Sequence, residues 1–309
     1  MTTVALEPQA ESTTKPTYEP KNPGSWDELH RKVRDLFPLC FDGAKILYQK
    51  GLSSHFQVSH TLRVSSASSG YNFGATYVGN KQLGPGESYP VLLGETDVNG
   101  NTSATFLHQF GELWRLRLQS QIQQSKFSGA QATIERRGRH STYGLTVANL
   151  NLVSDSGIFV GHIIRRITER IDLGAELLCQ VDKKQIPGGK ISLLSYAFRY
   201  TMPNWIFAAT LGTAALNLSY YHKLSEHFQA GVELETNFRM QESSATFAYM
   251  AEIPYTGFTI RASCDTNWSI GAVLERKIYG ANSPFTLSLS GLINHTKSQG
   301  RFGIGFLVG

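Results

Sequence analysis

Glu233 and Glu235 stand two residues apart in residues 228–236, F-Q-A-G-V-E-L-E-T. On a strand that spacing sends both carboxylates to one face with Gln229 and Gly231, while Phe228, Ala230, Val232 and Leu234 take the other. Two carboxylates side by side on a polar wall can draw a cation or a basic peptide by charge attraction. The same alternation gathers Arg115, Arg117, Gln119 and Gln121 on one face of residues 114–122, opposite Trp114, Leu116, Leu118 and Ile122. Glu135, Glu176, Asn217, Lys223 and Glu275 fall on the polar faces of their own segments. Each of these side chains can equally be plain hydrated wall.

Covalent chemistry is not what this set offers. The chain has no GxSxG, no HExxH, no phosphate-binding loop and no dinucleotide fingerprint. Its nine histidines are scattered, with His222 and His227 near a strand end and turn. Cys40, Cys179 and Cys264 are far apart and form no CxxC, so neither a disulfide framework nor a zinc site is expected. No cofactor is implied. Gly84-Pro85-Gly86 lacks a following Lys-Ser/Thr and reads as a loop, and Asp182-Lys183-Lys184 reads as a solvated turn. The net charge of +5 comes with a single basic cluster, Arg136, Arg137 and Arg139, too little for a nucleic-acid face.

The elements that would position these residues repeat with period two from about Gly43 onward. Segments of eight to eleven residues fall at 43–51, 55–65, 71–80, 90–97, 101–110, 113–123, 128–137, 141–150 and 156–167. They continue at 171–181, 190–200, 205–212, 215–224, 228–236, 243–253, 257–265, 268–277, 285–294 and 299–309, nineteen in all. Alternation is weak at 43–51, 90–97 and 190–200. Turn chemistry separates them at Asn99-Gly100, Gly138, Pro187-Gly188-Gly189, Pro203-Asn204 and Asn282-Ser283-Pro284.

Strand length then selects the medium. A tilted strand that crosses a bilayer needs ~9–11 residues, against a mode of ~5–6 in soluble sheets. Trp114, Trp205, Trp268, Phe228 and Phe285 sit at segment ends, where an interfacial girdle would place them. No repeat period of the kind a solenoid or propeller requires is visible. Charged residues make up only 17% of the chain and hydrophobic residues 41%, with uncharged polar residues filling the difference. That mixture suits one face in lipid and one in a polar lumen. The expected fold is an all-β transmembrane barrel of about 19 strands, residues 43–309, whose lumen is wide enough for water.

Two ends complete the plan. The last segment, R-F-G-I-G-F-L-V-G, puts Phe302, Ile304, Phe306 and Val308 on one face and Gly303 and Gly305 on the other. Such an apolar edge needs a partner. At the start, residues 1–24 hold four prolines among Thr, Glu and Gln and are expected to be disordered. Residues 25–38 are expected to form an amphipathic helix, opened by a Ser25/Glu28 capping box and closed by Pro38. Its apolar face is Trp26, Leu29, Val33, Leu36 and Phe37. Neither a secretory signal nor a matrix presequence is visible, and the apolar run at 205–218 is too short to span as a helix.

Several stretches are specific. Trp26 through Phe37-Pro38, Lys50-Gly51-Leu52-Ser53, His55-Phe56-Gln57-Val58 and Phe73-Gly74-Ala75-Thr76-Tyr77-Val78-Gly79 resemble the pore-forming channel subunits of the mitochondrial outer-membrane translocase, the TOM complex, in the eukaryotic porin superfamily. So do Gln124-Ser125-Lys126-Phe127, Tyr220-Tyr221-His222-Lys223, Gly231-Val232-Glu233-Leu234-Glu235 and Asn267-Trp268-Ser269-Ile270-Gly271-Ala272. The similarity runs from about Asn22 to Gly309. It implies a nineteen-strand barrel closed by a parallel pair, with the helix in or against the lumen. It further implies passage of unfolded precursor proteins carrying presequences across the mitochondrial outer membrane. Receptor subunits, small single-helix subunits and a second pore are the implied partners, in a lipid setting. Insertion by the sorting and assembly machinery is implied to read polar-x-Gly-x-x-apolar-x-apolar, which Arg301, Gly303, Phe306 and Val308 match. Some relatives carry a longer segment before the barrel.

Two transport classes follow. A protein-conducting pore would attract basic presequences through acidic spots such as Glu233 and Glu235. The alternative is a metabolite or ion porin of the voltage-dependent anion channel type, which should show a net basic lumen. Five glutamates against two arginines and one lysine among the inward candidates favour cations.

Overall fold

The computed structural model describes residues 22–66, 69–84, 87–151, 156–182, 189–279 and 284–309. Expectations at 1–21, Pro85-Gly86, Lys183-Lys184, Pro187-Gly188 and Asn282-Ser283 lie outside the described residues. Nineteen strands form one closed sheet. They are β1 (Gly43–Gly51), β2 (Phe56–Val64), β3 (Gly70–Gly84), β4 (Glu87–Asp97), β5 (Thr102–Phe110) and β6 (Trp114–Gln123). Next come β7 (Lys126–Arg137), β8 (Ser141–Asn151), β9 (Ser156–Arg166), β10 (Ile171–Asp182), β11 (Lys190–Thr201), β12 (Trp205–Gly212) and β13 (Ala215–Lys223). The wall ends with β14 (Phe228–Asn237), β15 (Glu242–Ile253), β16 (Phe258–Asp265), β17 (Ser269–Tyr279), β18 (Pro284–Asn294) and β19 (Gln299–Val308).

Sequence neighbours pair antiparallel throughout, and β1 pairs with β19 in parallel, from Gly43 opposite Gly303 to Tyr48 opposite Val308. The parallel seam is a matter of parity. With an odd number of alternating strands, the first and last run the same way. Closure leaves no free edge, which answers the exposed ribbon at the C-terminus.

The pleat sorts side chains cleanly. In β13–β15, Ser219, Glu233 and Ala248 are buried toward the interior, while their chain neighbours Tyr220, Val232 and Phe247 stand exposed on the outside. The outer face carries large apolar side chains all round, from Ile46 and Leu62 through Leu118, Leu145 and Leu177 to Phe302, Ile304 and Phe306. An apolar belt of that extent belongs in lipid. Aromatic groups gather at its margins: Trp205 lies 5.2 Å from Tyr200 and 5.9 Å from Tyr220, and Arg136 caps the Trp114 ring at 5.8 Å. No described helix is long and apolar enough to cross a membrane.

The weakly alternating segments are strands too, because pairing on both sides holds them whatever their pattern. β4 starts at Glu87, earlier than expected, and β3 extends to Gly84, with register shifts after Val78 and after Gln82.

The N-terminal segment departs most from expectation. In place of one helix over 25–38 there is a 3-10 turn, Trp26–Glu28, and a single α-helical turn, α1 (Arg31–Arg34). Glu28 does accept the Ser25 N–H, at 3.1 Å. Between the two turns His30 leaves helical geometry, and its two ring nitrogens bond Ser219 Oγ at 2.7 Å and Thr210 Oγ1 at 2.8 Å. The curved wall overrides local propensity here. A straight helix could not follow it with all its apolar side chains.

Candidate functional site

The segment winds round the inner wall instead of crossing open lumen. Asn22 begins at the turn after β7, donating to Gly138 O at 2.5 Å and accepting from Thr142 Oγ1 at 3.2 Å. Trp26 and Leu29 pack on Ile164 and Ala197. Val33 and Leu36 pack on Tyr221 and Ala248, with Phe37, Ile206 and Met250 around them. Phe41 N–H then donates to Ser290 Oγ at 2.9 Å, and β1 begins two residues later. Burying Leu29, Val33 and Leu36 this fully stabilises docking by roughly 1.5–3 kcal/mol each.

Glycines on the wall make the close approach possible. A Cβ at Gly231 would lie 3.0 Å from Leu36 Cδ1 and 3.2 Å from Val33 Cγ1, and one at Gly174 would lie 3.1 Å from the Trp26 ring. At the segment's far end a Cβ on Gly271 would sit 2.9 Å from Cys40 Sγ. The segment's contacts fall on strands from β6 round to β19. Among the described residues, β2–β5 face the opening, with Gln57, Ser59, Thr61, Asn72, Thr76, Ser103 and Thr105 on the inward register. The lumen therefore has an arc covered by the segment and an open arc on which Arg63, Glu95 and Asp97 stand among uncharged polar residues.

Charges hold the segment to the wall. Arg34 Nε lies 3.3 Å from Glu233 Oε1, and its Nη2 lies 3.9 Å from Glu235 Oε1. Arg117 reaches Asp27 at 3.4 Å, and Arg137 reaches Glu28 at 3.5 Å and Glu135 at 3.4 Å. His30 is held neutral: burial first, and the Arg34 charge second, lower its pKa to about 4.

Sequence-based reasoning missed the strongest ionic cluster. Asp172, 1% exposed, takes Arg166 Nε at 2.7 Å and Nη2 at 3.1 Å, and Arg199 Nε at 3.0 Å. Arg199 also donates to the Pro23 carbonyl, which ties the segment's start to this triad. Asp172 faces Arg166 across the β9–β10 hairpin and Arg199 across β11. The hairpin pair is readable from the six-residue spacing around a tight turn. The third member needs the β10–β11 register.

The expected inward residues all take the inward register, in different settings. Arg115, Gln119 and Gln121 share β6 with Arg117. Glu176 stands opposite His162 and Ser195, half-buried, and Lys223 ends β13 opposite Gln229. Asn217 is opposite Glu235, and Glu275 lies 3.9 Å from Arg261. Lys45, Arg63, Arg137, Arg166, Arg199, Arg261 and Lys277 share the inward face. The glutamate surplus is thus local to places such as Glu233 and Glu235, and the wall as a whole mixes both signs. On β19, Arg301 and Gly303 face inward, while Phe306 faces out with its ring 5.5 Å from Phe285, on the side that Val308 also takes. No group of His, Cys, Asp and Glu fit to hold a metal occurs among the described residues.

Comparison with known proteins comes to the same architecture. The family model described as eukaryotic porin matches residues 22–305. A Caenorhabditis elegans protein named mitochondrial import receptor subunit TOM40 homolog is 58% identical over 288 residues, covering 93% of this chain and 95% of that one. A Drosophila melanogaster protein of that name, homolog 2, is 45% identical, covering 93% and 84%. The human protein of the same name is 41% identical, covering 93% and 78%.

Proposed function

The chain belongs to the eukaryotic porin family, and from that premise we propose that it is the protein-conducting channel of the mitochondrial outer membrane, passing unfolded precursor proteins from the cytosol. The observation that carries this reading is the 58% identity, across 93% of the chain, to a relative named as an import receptor subunit. The lumen suits the task. Its open arc sets Gln, Ser, Thr and Asn among the separate charges Arg63, Glu95 and Asp97, so an extended chain meets many weak, scattered contacts. On the covered arc, Glu233 and Glu235 form an acidic spot that attracts basic presequences. Conduction of this kind asks for positioning and weak electrostatics, and for no catalytic group.

The outer belt meets lipid. Receptor subunits, small single-helix subunits and a second pore are the partners that this reading implies on the outer face and rims. Insertion by the sorting and assembly machinery would read Arg301, Gly303, Phe306 and Val308. The segment at 22–38 belongs to the lumen, and residues 43–309 make the wall.

Reconstitution in planar bilayers tests the reading. A cation-preferring conductance blocked by a basic presequence peptide is expected. Anion preference with indifference to such peptides would instead place the chain with metabolite porins.

A further inference from the structure

Among the described residues, no aspartate or glutamate takes the outward register of a strand. Cations do. Lys50 on β1, Arg136 on β7, Arg165 on β9 and Arg276 on β17 all face outward. They lie near the C-terminal ends of strands that run the same way, so they mark one rim of the barrel. Lys190, first in β11, faces outward at the opposite rim. A cation at a membrane margin with no acid on its own face finds its counter-charge outside the barrel.

Two of these cations stand close together among aromatic rings. Trp114, Arg136, Tyr143 and Ile163 follow one another on β6–β9 in a single row across the sheet. Arg136 lies over the Trp114 ring at 5.8 Å. Arg165 is two residues nearer the rim than Ile163, opposite Ser141 and Leu173. The turn after β7 adds Arg139 and His140, and the turn after β9 adds Glu169 and Arg170. These two turns adjoin, since the Arg166 N–H donates to His140 O at 2.8 Å. Four exposed arginines thus face two turn acids, Glu169 and, before β6, Glu112. Arg136, Arg139, Arg165 and Arg170 form no ion pair among the described residues. In the lumen, by contrast, Arg34, Arg117, Arg137, Arg166, Arg199 and Arg261 each have one. The pleat divides the basic cluster at 136–139: Arg137 turns in to Glu28 and Glu135, and Arg136 turns out.

We infer that the outer margin of β6–β9 is a binding site for an anionic phospholipid, whose headgroup is held by Arg136 and Arg165 between Trp114 and Tyr143. The planar guanidinium fork matches the oxygens of a phosphate. Trp and Tyr rings settle at headgroup level. Farther from the rim, Ile134, Leu145 and Ile163 offer exposed apolar wall to the acyl chains. A basic residue beside an anionic membrane surface adds about fivefold to binding, and Arg139 and Arg170 in the turns add their charge to the same place. A free phosphate would use the arginines and leave the rings and the apolar wall without a partner. The site belongs to the outer face and is independent of what the lumen conducts.

The test uses the full chain in phosphatidylcholine vesicles. Trp26→Phe, Trp205→Phe and Trp268→Phe leave Trp114 as the one tryptophan. A minor fraction of the lipid carries brominated acyl chains, which quench tryptophan on contact, and is either phosphatidylglycerol or phosphatidylcholine. The ratio of the two quenching constants reads the preference for the anionic headgroup at Trp114, and should be on the order of tenfold. Arg165→Gln should reduce it by about fivefold, and Arg136→Gln with Arg165→Gln should bring it to one. Lys190→Gln at the other rim should leave it unchanged. Comparing the two lipids within each variant cancels any change in the Trp114 ring when Arg136 leaves it. A ratio near one in the parent overturns the site and leaves these arginines to an acidic surface of a partner protein. A preference that inorganic phosphate in the buffer erases, or that survives the double substitution, overturns it as well.

Discussion

Phe41 lies against Gly303 on the lumen side of the barrel seam. A Cβ at Gly303 would meet the Phe41 carbonyl oxygen first and stand 2.7 Å from the ring's Cδ2, and one at the next inward position, Gly305, would meet Ser288 Oγ and stand 2.8 Å from the ring's Cζ. The ring also lies 5.9 Å from Lys45 Nζ on β1, and the Phe41 N–H bonds Ser290 on β18. One aromatic residue thus touches all three strands that close the ring. Gly303 has a use in the finished barrel, separate from any part in an insertion signal.

Gly303→Ala is therefore expected to insert and then to seat the N-terminal segment poorly, at a cost of about 1–3 kcal/mol from overpacking. Denaturant unfolding of the assembled barrel reads this. Adding Phe41→Ala should leave most of the loss in place, because the new methyl meets the Phe41 carbonyl oxygen first and that change keeps it. Full recovery in the double variant would show that the ring alone is the obstacle.

Phe306→Asp acts on the other face. Phe306 points outward beside Phe285, so the change places a charge in the lipid belt. At the margin of the belt, where Phe285 also sits, that costs up to about 1 kcal/mol. The fraction recovered as carbonate-resistant membrane protein should fall, and Gly303→Ala should leave that fraction unchanged.

Asp172→Ala removes the carboxylate that Arg166 and Arg199 share. Two arginines would remain in a place where the acid is 1% exposed, and a loss of about 3–5 kcal/mol is expected. Arg199→Met should cost less, since Asp172 keeps Arg166. It should also free the segment near Pro23, which limited proteolysis around residue 24 would detect.

Docking of the segment should depend on pH through His30. In the docked state its pKa is about 4, against an ordinary 6.5, so between those values the released segment binds more protons. Docking is at full strength above pH 6.5 and weakens as pH falls through the window, by on the order of 2 kcal/mol at pH 5. Maleimide labelling of Leu36→Cys, followed from pH 7.5 to 5, should accelerate. His30→Gln should flatten that dependence. A variant with the same acid response as the parent would shift the effect to other groups.

How much of this was legible in the chain differs by kind. Alternation is a local property, set by the pleat, so residues 228–236 announced by themselves that Glu233 and Glu235 share a face with Gln229. The nineteen segments and the inward set, from Arg115 to Glu275, follow from the same rule. The apolar face of Phe302, Ile304 and Phe306 likewise pointed to a strand in need of closure. Where the pattern was weak, at 90–97, the strand formed anyway because β3 and β5 pair with it.

What only the tertiary structure decided is which inward residues meet which others across the lumen. Arg34 finds Glu233 across 199 positions of chain, and His30 finds Ser219 across 189. No periodicity encodes those pairings, because they depend on the path that the N-terminal segment takes round a closed wall. That path also broke the expected helix into two short turns and placed Phe41 on Gly303. Period two is written residue by residue; the burial of one carboxylate under a distant arginine exists only after the barrel has closed around it.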